Sequence, residues 1–143
     1  MPTFVNPAPE QGDSLSVVVN ASGQLGARHD SQGRRRVGTT TAPSVAVGGN
    51  AGSGSSATVV GTDEAGVITV VAGTGAAAGT LATLTFATAF AVAPVFSLDA
   101  GDQYGAAANL YANSTTTTLV VKAAGTPASS QTYKINYINV GGA

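Results

Sequence analysis

The sequence contains no cysteine, which excludes disulfides, thiolate catalysis and cysteine-ligated zinc. Charge is scarce too. Only 9% of positions are charged and the formal net charge is -1, so no global field attracts nucleic acid or an anionic membrane. The helix formers Glu, Lys, Gln and Met are few. No long hydrophobic run occurs: the most apolar stretch, residues 81–98, is interrupted by threonines and by Pro94, which argues against a membrane span. The opening Met-Pro-Thr-Phe-Val-Asn-Pro lacks a basic region followed by an apolar one, so no secretory signal is expected.

What remains is dominated by Gly, Ala, Ser, Thr and Val. Val and Thr favour pleated surfaces, so the composition points to an all-β chain. At 143 residues there is room for one domain with a tail, not for two independent cores. A domain of this size buries about two thirds of its unfolded surface. Small side chains contribute little to that burial, which favours a homo-oligomer.

The chain divides near residue 40. Residues 1–40 hold Pro2, Pro7 and Pro9, the single histidine His29, four of the six basic residues and three of the seven acids. One stretch there, Ser14-Leu15-Ser16-Val17-Val18-Val19, has strand character, with Leu15, Val17 and Val19 on one face. So little apolar surface cannot fold alone, and residues 1–40 are expected to be an extended anchoring arm that orders against something else.

From residue 41 to 143 short β runs alternate with turn signals. Strands are expected at residues 44–47, 57–60, 66–71, 80–87, 95–98, 109–113, 117–123 and 132–140. Eight short strands at this spacing predict an antiparallel sandwich or jelly roll. Period-two alternation puts Tyr133, Ile135 and Tyr137 on one face, Ala82, Leu84 and Phe86 on another, then Phe96 with Leu98 and Leu119 with Val121. With Leu110 these form the expected core. Residues 67–71 are apolar on both faces, which would suit a strand covered by a neighbouring subunit.

Several motifs invite chemistry. Gly73-Thr74-Gly75-Ala76-Ala77-Ala78-Gly79 follows a strand, as a dinucleotide-binding turn does, but an alternating Thr-rich segment follows it instead of a helix. It reads as a glycine-rich hairpin loop. Gly48-Gly49-Asn50-Ala51-Gly52-Ser53-Gly54-Ser55 lacks the Lys-Ser/Thr ending of a phosphate-cradling loop and reads as a flexible connection. No serine sits in a nucleophile elbow, and His29 falls in the arm beside Asp30. Asp63-Glu64 and Asp99/Asp102 offer too few carboxylates for calcium and read as turn residues bonded to nearby backbone. Asn20-Ala21-Ser22 and Asn113-Ser114-Thr115 match the glycosylation pattern but carry little without a secretory route. No enzyme, metal site or cofactor is expected.

Binding readings fall on two groups. Arg34-Arg35-Arg36, with Arg28 and His29 nearby, is the local charge cluster. Two readings of it stand side by side: an anchor onto an acidic protein surface, since arginine forks suit carboxylates, and a solvated loop. Nucleic acid is disfavoured by the lack of aromatic interleaving. Tyr104 and Tyr111 lie near expected loops or outward faces, and they are the candidates for surface or glycan binding.

A resemblance enters on the order of motifs after residue 40: Thr41-Ala42-Pro43-Ser44-Val45-Ala46, Gly61-Thr62-Asp63-Glu64-Ala65-Gly66-Val67-Ile68-Thr69-Val70, and Gly79-Thr80-Leu81-Ala82-Thr83-Leu84-Thr85-Phe86-Ala87-Thr88-Ala89-Phe90 with Ala93-Pro94-Val95. The run Thr115-Thr116-Thr117-Thr118 and the closing Thr132-Tyr133-Lys134-Ile135-Asn136-Tyr137 complete it. This part resembles a β-rich C-terminal domain of tailed-bacteriophage virion surface proteins. The resemblance implies a compact antiparallel β domain, trimeric, displayed on a head or tail, with no catalytic residues to carry over. It does not extend to residues 1–40. An arm of that length, fully extended, spans on the order of 130 Å, which suits clamping across capsid subunits.

The expectation is therefore a capsid decoration or head-fibre protein. Its partners would be itself, as a homotrimer, and the major capsid protein or another virion protein. The alternative is a short tail-fibre or tail-tip protein, or an adhesin for host-surface glycans. Neither nucleic acid nor a membrane is an expected partner. The expected location is the virion, assembled in the bacterial host cytoplasm.

Overall fold

The computed structural model describes residues 42–141 and, before them, the backbone pairing of Arg28–His29 (β1) with Arg35–Arg36 (β2). The chain divides into two compact units, Met1–Val37 and Gly38–Ala143. In the first, β1 and β2 run antiparallel with Arg28 opposite Arg36 and His29 opposite Arg35. The strand expected at residues 14–19 lies outside the described residues.

The second unit is built from β3 (Ser44–Val47), β4 (Ser56–Gly61), β5 (Ala65–Val71), β6 (Gly79–Thr85), β7 (Val95–Ala100), β8 (Leu110–Ser114), β9 (Thr118–Ala123) and β10 (Thr132–Gly141). They form two four-stranded antiparallel sheets, ordered β4-β5-β10-β7 and β3-β6-β9-β8. The second unit is thus an all-β sandwich, and each of the eight strands expected after residue 40 is present with its ends within two residues of the expected ones.

Alternation is what places these strands. On β9, Leu119, Val121 and Ala123 are buried while Thr118, Val120 and Lys122 between them stay half-buried. On β10, Tyr133, Ile135 and Tyr137 point inward. The core joins these residues to Ile68, Val70, Ala82, Leu84 and Phe86 from the neighbouring strands. Removing such residues from water stabilises the fold by about 1.5–3 kcal/mol for each large side chain. Aromatic rings cross the interior: Phe90 lies edge-on to Phe86 at 4.9 Å, Phe86 stacks on Phe96 at 5.7 Å, and Phe96 meets Tyr137 at 6.0 Å. The expected core residues Phe96, Leu98 and Leu110 are half-buried and pack against this cluster.

Three features differ from the expectation. Residues 73–79 are not a hairpin loop, because β5 and β6 belong to opposite sheets and the segment crosses between them. Residues 48–55 are not a loose link: they include a 3-10 turn at Gly49–Ala51, and Ala51 is fully buried. The two glycine-rich segments lock together instead. Ser53 and Thr74 exchange backbone hydrogen bonds at 2.9 and 3.0 Å, Gly73 N–H donates to Ala51 O at 2.7 Å, and Ala77 N–H donates to Asn50 O at 3.0 Å. The Asn50 side chain accepts from Thr80 N–H at 3.1 Å, fixing the start of β6. Finally, a short helix, α1 (Gln103–Ala107), occupies the expected turn after β7, capped by Asp102, whose carboxylate accepts from Gly105 N–H at 2.8 Å.

Candidate interaction surfaces

Two acidic side chains of the sandwich, Asp63 and Asp102, hold its turns. Asp63, in the β4–β5 turn, is buried, and its two oxygens accept from Ala87 N–H at 2.8 Å and Thr88 N–H at 2.9 Å. These partners are 24 and 25 residues away, so Asp63 is not bonded to nearby backbone as the sequence implied; it ties the turn to the chain leaving β6. Asp102 acts in both ways, capping α1 and accepting from Lys134 N–H at 2.7 Å. Asp99 accepts from the Asn136 amide at 3.4 Å, a marginal bond. Among the described residues no three His, Cys, Asp or Glu side chains come together, and no buried side-chain polar atom lacks a hydrogen-bond partner. No helix among them is long and apolar enough to cross a membrane.

Tyr137 completes the Asp63 corner, donating its hydroxyl to Thr62 O at 2.6 Å. Burial, reinforced by the Asp63 carboxylate, pushes this phenol from 10.0 up to about 12. It is a structural group held neutral, with its proton committed to a carbonyl.

The two outer sheet faces have different chemistry. On the second sheet, register places Ala46, Thr83, Val120 and Asn113 in one row and Ser44, Thr85 and Thr118 in the next, with Lys122 as the sole charge on its strands. The run Thr115-Thr116-Thr117-Thr118 is folded into the β8–β9 turn: Thr115 Oγ1 accepts from Thr117 N–H at 3.2 Å and Thr118 N–H at 3.0 Å. On the first sheet, Val60, Val67, Asn136 and Asp99 form one row, and Ala65, Ile138 and Ser97 the next. Alternation alone did not single out the exposed Val60, Val95, Ile138 and Val140; the sequence signal that pointed here was the apolar run at residues 67–71.

The residues expected to bind fall in separate places. Tyr111 is exposed on β8, opposite Lys122. Tyr104 is exposed on α1, with its ring edge-on to Tyr133 at 6.4 Å. Among the described residues no ring contact joins Tyr104 to Tyr111, so they do not make one aromatic platform. For the anchor, the β1–β2 register brings Arg28 opposite Arg36 and puts Arg35 opposite His29. Leu15, Val17, Val19 and Arg34 lie outside the described residues. Comparison with protein-family models, curated proteins and solved structures finds no match to the chain.

Proposed function

We propose that the chain is a non-enzymatic structural protein of a tailed-bacteriophage virion, a capsid decoration or head-fibre protein. It attaches through residues 1–40 to the major capsid protein or another virion protein and displays an oligomeric β sandwich. The observation that carries the reading is segregation. All four arginines and the histidine fall within the first 37 residues, together with Glu10, Asp13 and Asp30, whereas the sandwich bears two lysines and four acids, of which Asp63 and Asp102 hold its own turns. One part holds every arginine, suited to pairing with acidic groups; the other is a sparsely charged β sandwich. The virion assignment is supported by the resemblance of the motifs from Thr41 onward.

Attachment then combines charge pairing by Arg28 and Arg34–Arg36 with strand addition by residues 14–19 to an exposed sheet edge. A symmetric oligomer multiplies weak contacts into avidity. The exposed Tyr104 and Tyr111 favour a second reading, adhesion of the displayed domain to a surface glycan. A glycan array with the sandwich alone separates the two. The principal test is incorporation: the full chain should enter particles, and a chain lacking residues 1–40 should not. Normal occupancy by the truncated protein would contradict the arm's role.

A further inference from the structure

Eight large hydrophobic side chains are exposed among the described residues, and four of them gather at one end of one sheet. Val60 on β4 is 78% exposed, Val95 on β7 56%, and Ile138 and Val140 on β10 are 47% and 62% exposed. Register makes them neighbours. Val60 is opposite Val67, Ala65 is opposite Ile138, and the β-bulge at Asn139/Gly141 brings Gly141 opposite Val95, with Val140 the extra residue between. The apolar side chains thus run diagonally across the first sheet, from Val60 on β4 through Val67 and Ile138 to Val140 and Val95, with Ser97 and Asp99 beside them on β7. The charged side chains on the outward register of this face are one acid, Asp99, and one base, Lys134.

We propose that this outer face is where copies of the chain pack against one another. This rests on the self-assembly part of the reading above and not on the virion part. Two observations select a second copy as the occupant. A face bearing one acid and one base matches its own charge, whereas a strongly acidic or basic partner would find no counterpart there. Its size also fits: four strands about 4.8 Å apart and about six residues long project roughly 400 Å2. Two such faces with side-chain relief come to about 1,200 Å2, the low end for a stable specific contact. The valines and isoleucine form the apolar part of the contact; Ser97 stands beside Ile138, Asn136 and Asp99 end the row of Val60, and Lys134 lies one row further along the sheet.

Sedimentation velocity of the full chain across a dilution series tests this. The wild-type protein should sediment as a closed oligomer. Val60→Lys and Ile138→Lys should each raise the dissociation constant by about tenfold or more, as loss of an interface anchor does. Ala46→Lys, exposed on the second sheet, should leave assembly unchanged. Should a lysine variant fail to fold by circular dichroism, Val60→Thr and Ile138→Thr, which keep a β-branched residue on the strand, replace it with the same direction of effect. A wild-type monomer at every concentration would overturn the proposal and leave residues 1–41 or another protein as the cover. Lysine variants that assemble like wild type would also overturn it. Incorporation of a monomeric variant into particles would leave the arm reading standing, so the two ideas fail separately.

Discussion

The hydroxyl of Tyr137 donates to the carbonyl of Thr62 at 2.6 Å, joining β10 to the β4–β5 turn across 75 positions of sequence. Beside it Asp63 ties the same turn to the chain leaving β6. One corner therefore couples the two sheets, and its parts can be removed singly.

Tyr137→Phe leaves the Thr62 carbonyl without this donor and should lower stability by about 1–2 kcal/mol in urea denaturation. The effect should depend on pH. The folded-state phenol lies near 12 against an ordinary 10.0, so the fold favours the protonated form. Its contribution is present in full below pH 10 and is lost as pH rises towards 12, because the unfolded chain then releases its proton first. The stability gap between wild type and Tyr137→Phe should narrow over that window. A gap constant with pH would show that the phenol is not held neutral by the fold.

Asp63→Asn keeps the shape but replaces one acceptor oxygen with an amide that faces a backbone N–H. It should cost about 1–3 kcal/mol, the range for leaving a buried group unpaired. Chemical denaturation reads this directly, and a neutral result would mean that water replaces the carboxylate.

The glycine-rich crossing gives a sharp contrast. A Cβ on Gly73 would overlap the backbone carbonyl of Ser53, which cannot swing aside as a side chain could, whereas one on Gly49 meets nothing within 4 Å. Gly73→Ala should therefore abolish soluble folded protein or depress its melting temperature severely, and Gly49→Ala should be nearly silent. Equal tolerance of both substitutions in a thermal melt would show that the two glycine-rich segments are not locked together.

Residues 38–143 form a compact unit with their own core and should fold without the preceding residues. The truncated chain should unfold in one cooperative transition with the melting temperature of the full protein. A broad, non-cooperative melt would show that the first 37 residues are needed for the fold.

Much of the sandwich was legible because its strands follow period two: Tyr133, Ile135 and Tyr137 need only alternation to be placed inside. Leu81 was not legible. It precedes Ala82, and both are buried because β6 shifts register between Thr80 and Ala82, which breaks the alternation. Glycine spacing at residues 73–79 signals a break in a strand without saying whether the chain turns back or crosses to the other sheet. Asp63 looked like a local turn residue since its partners, Ala87 and Thr88, are brought to it by tertiary folding. The helix at Gln103–Ala107 is too short to show a helical period. Of the candidate surfaces, the sequence hinted at the first sheet through residues 67–71, but the convergence of Val60, Val95, Ile138 and Val140 requires the register of four strands.

The proposed function is that of a virion protein held by its first 40 residues with the sandwich displayed. Imaging of assembled particles with the sandwich labelled at its C-terminal end tests it most directly. Many labels distributed over the head lattice are expected, and they should vanish when residues 1–40 are deleted. Particles that carry no label on head or tail, while the protein is present in the infected cell, would contradict the claim.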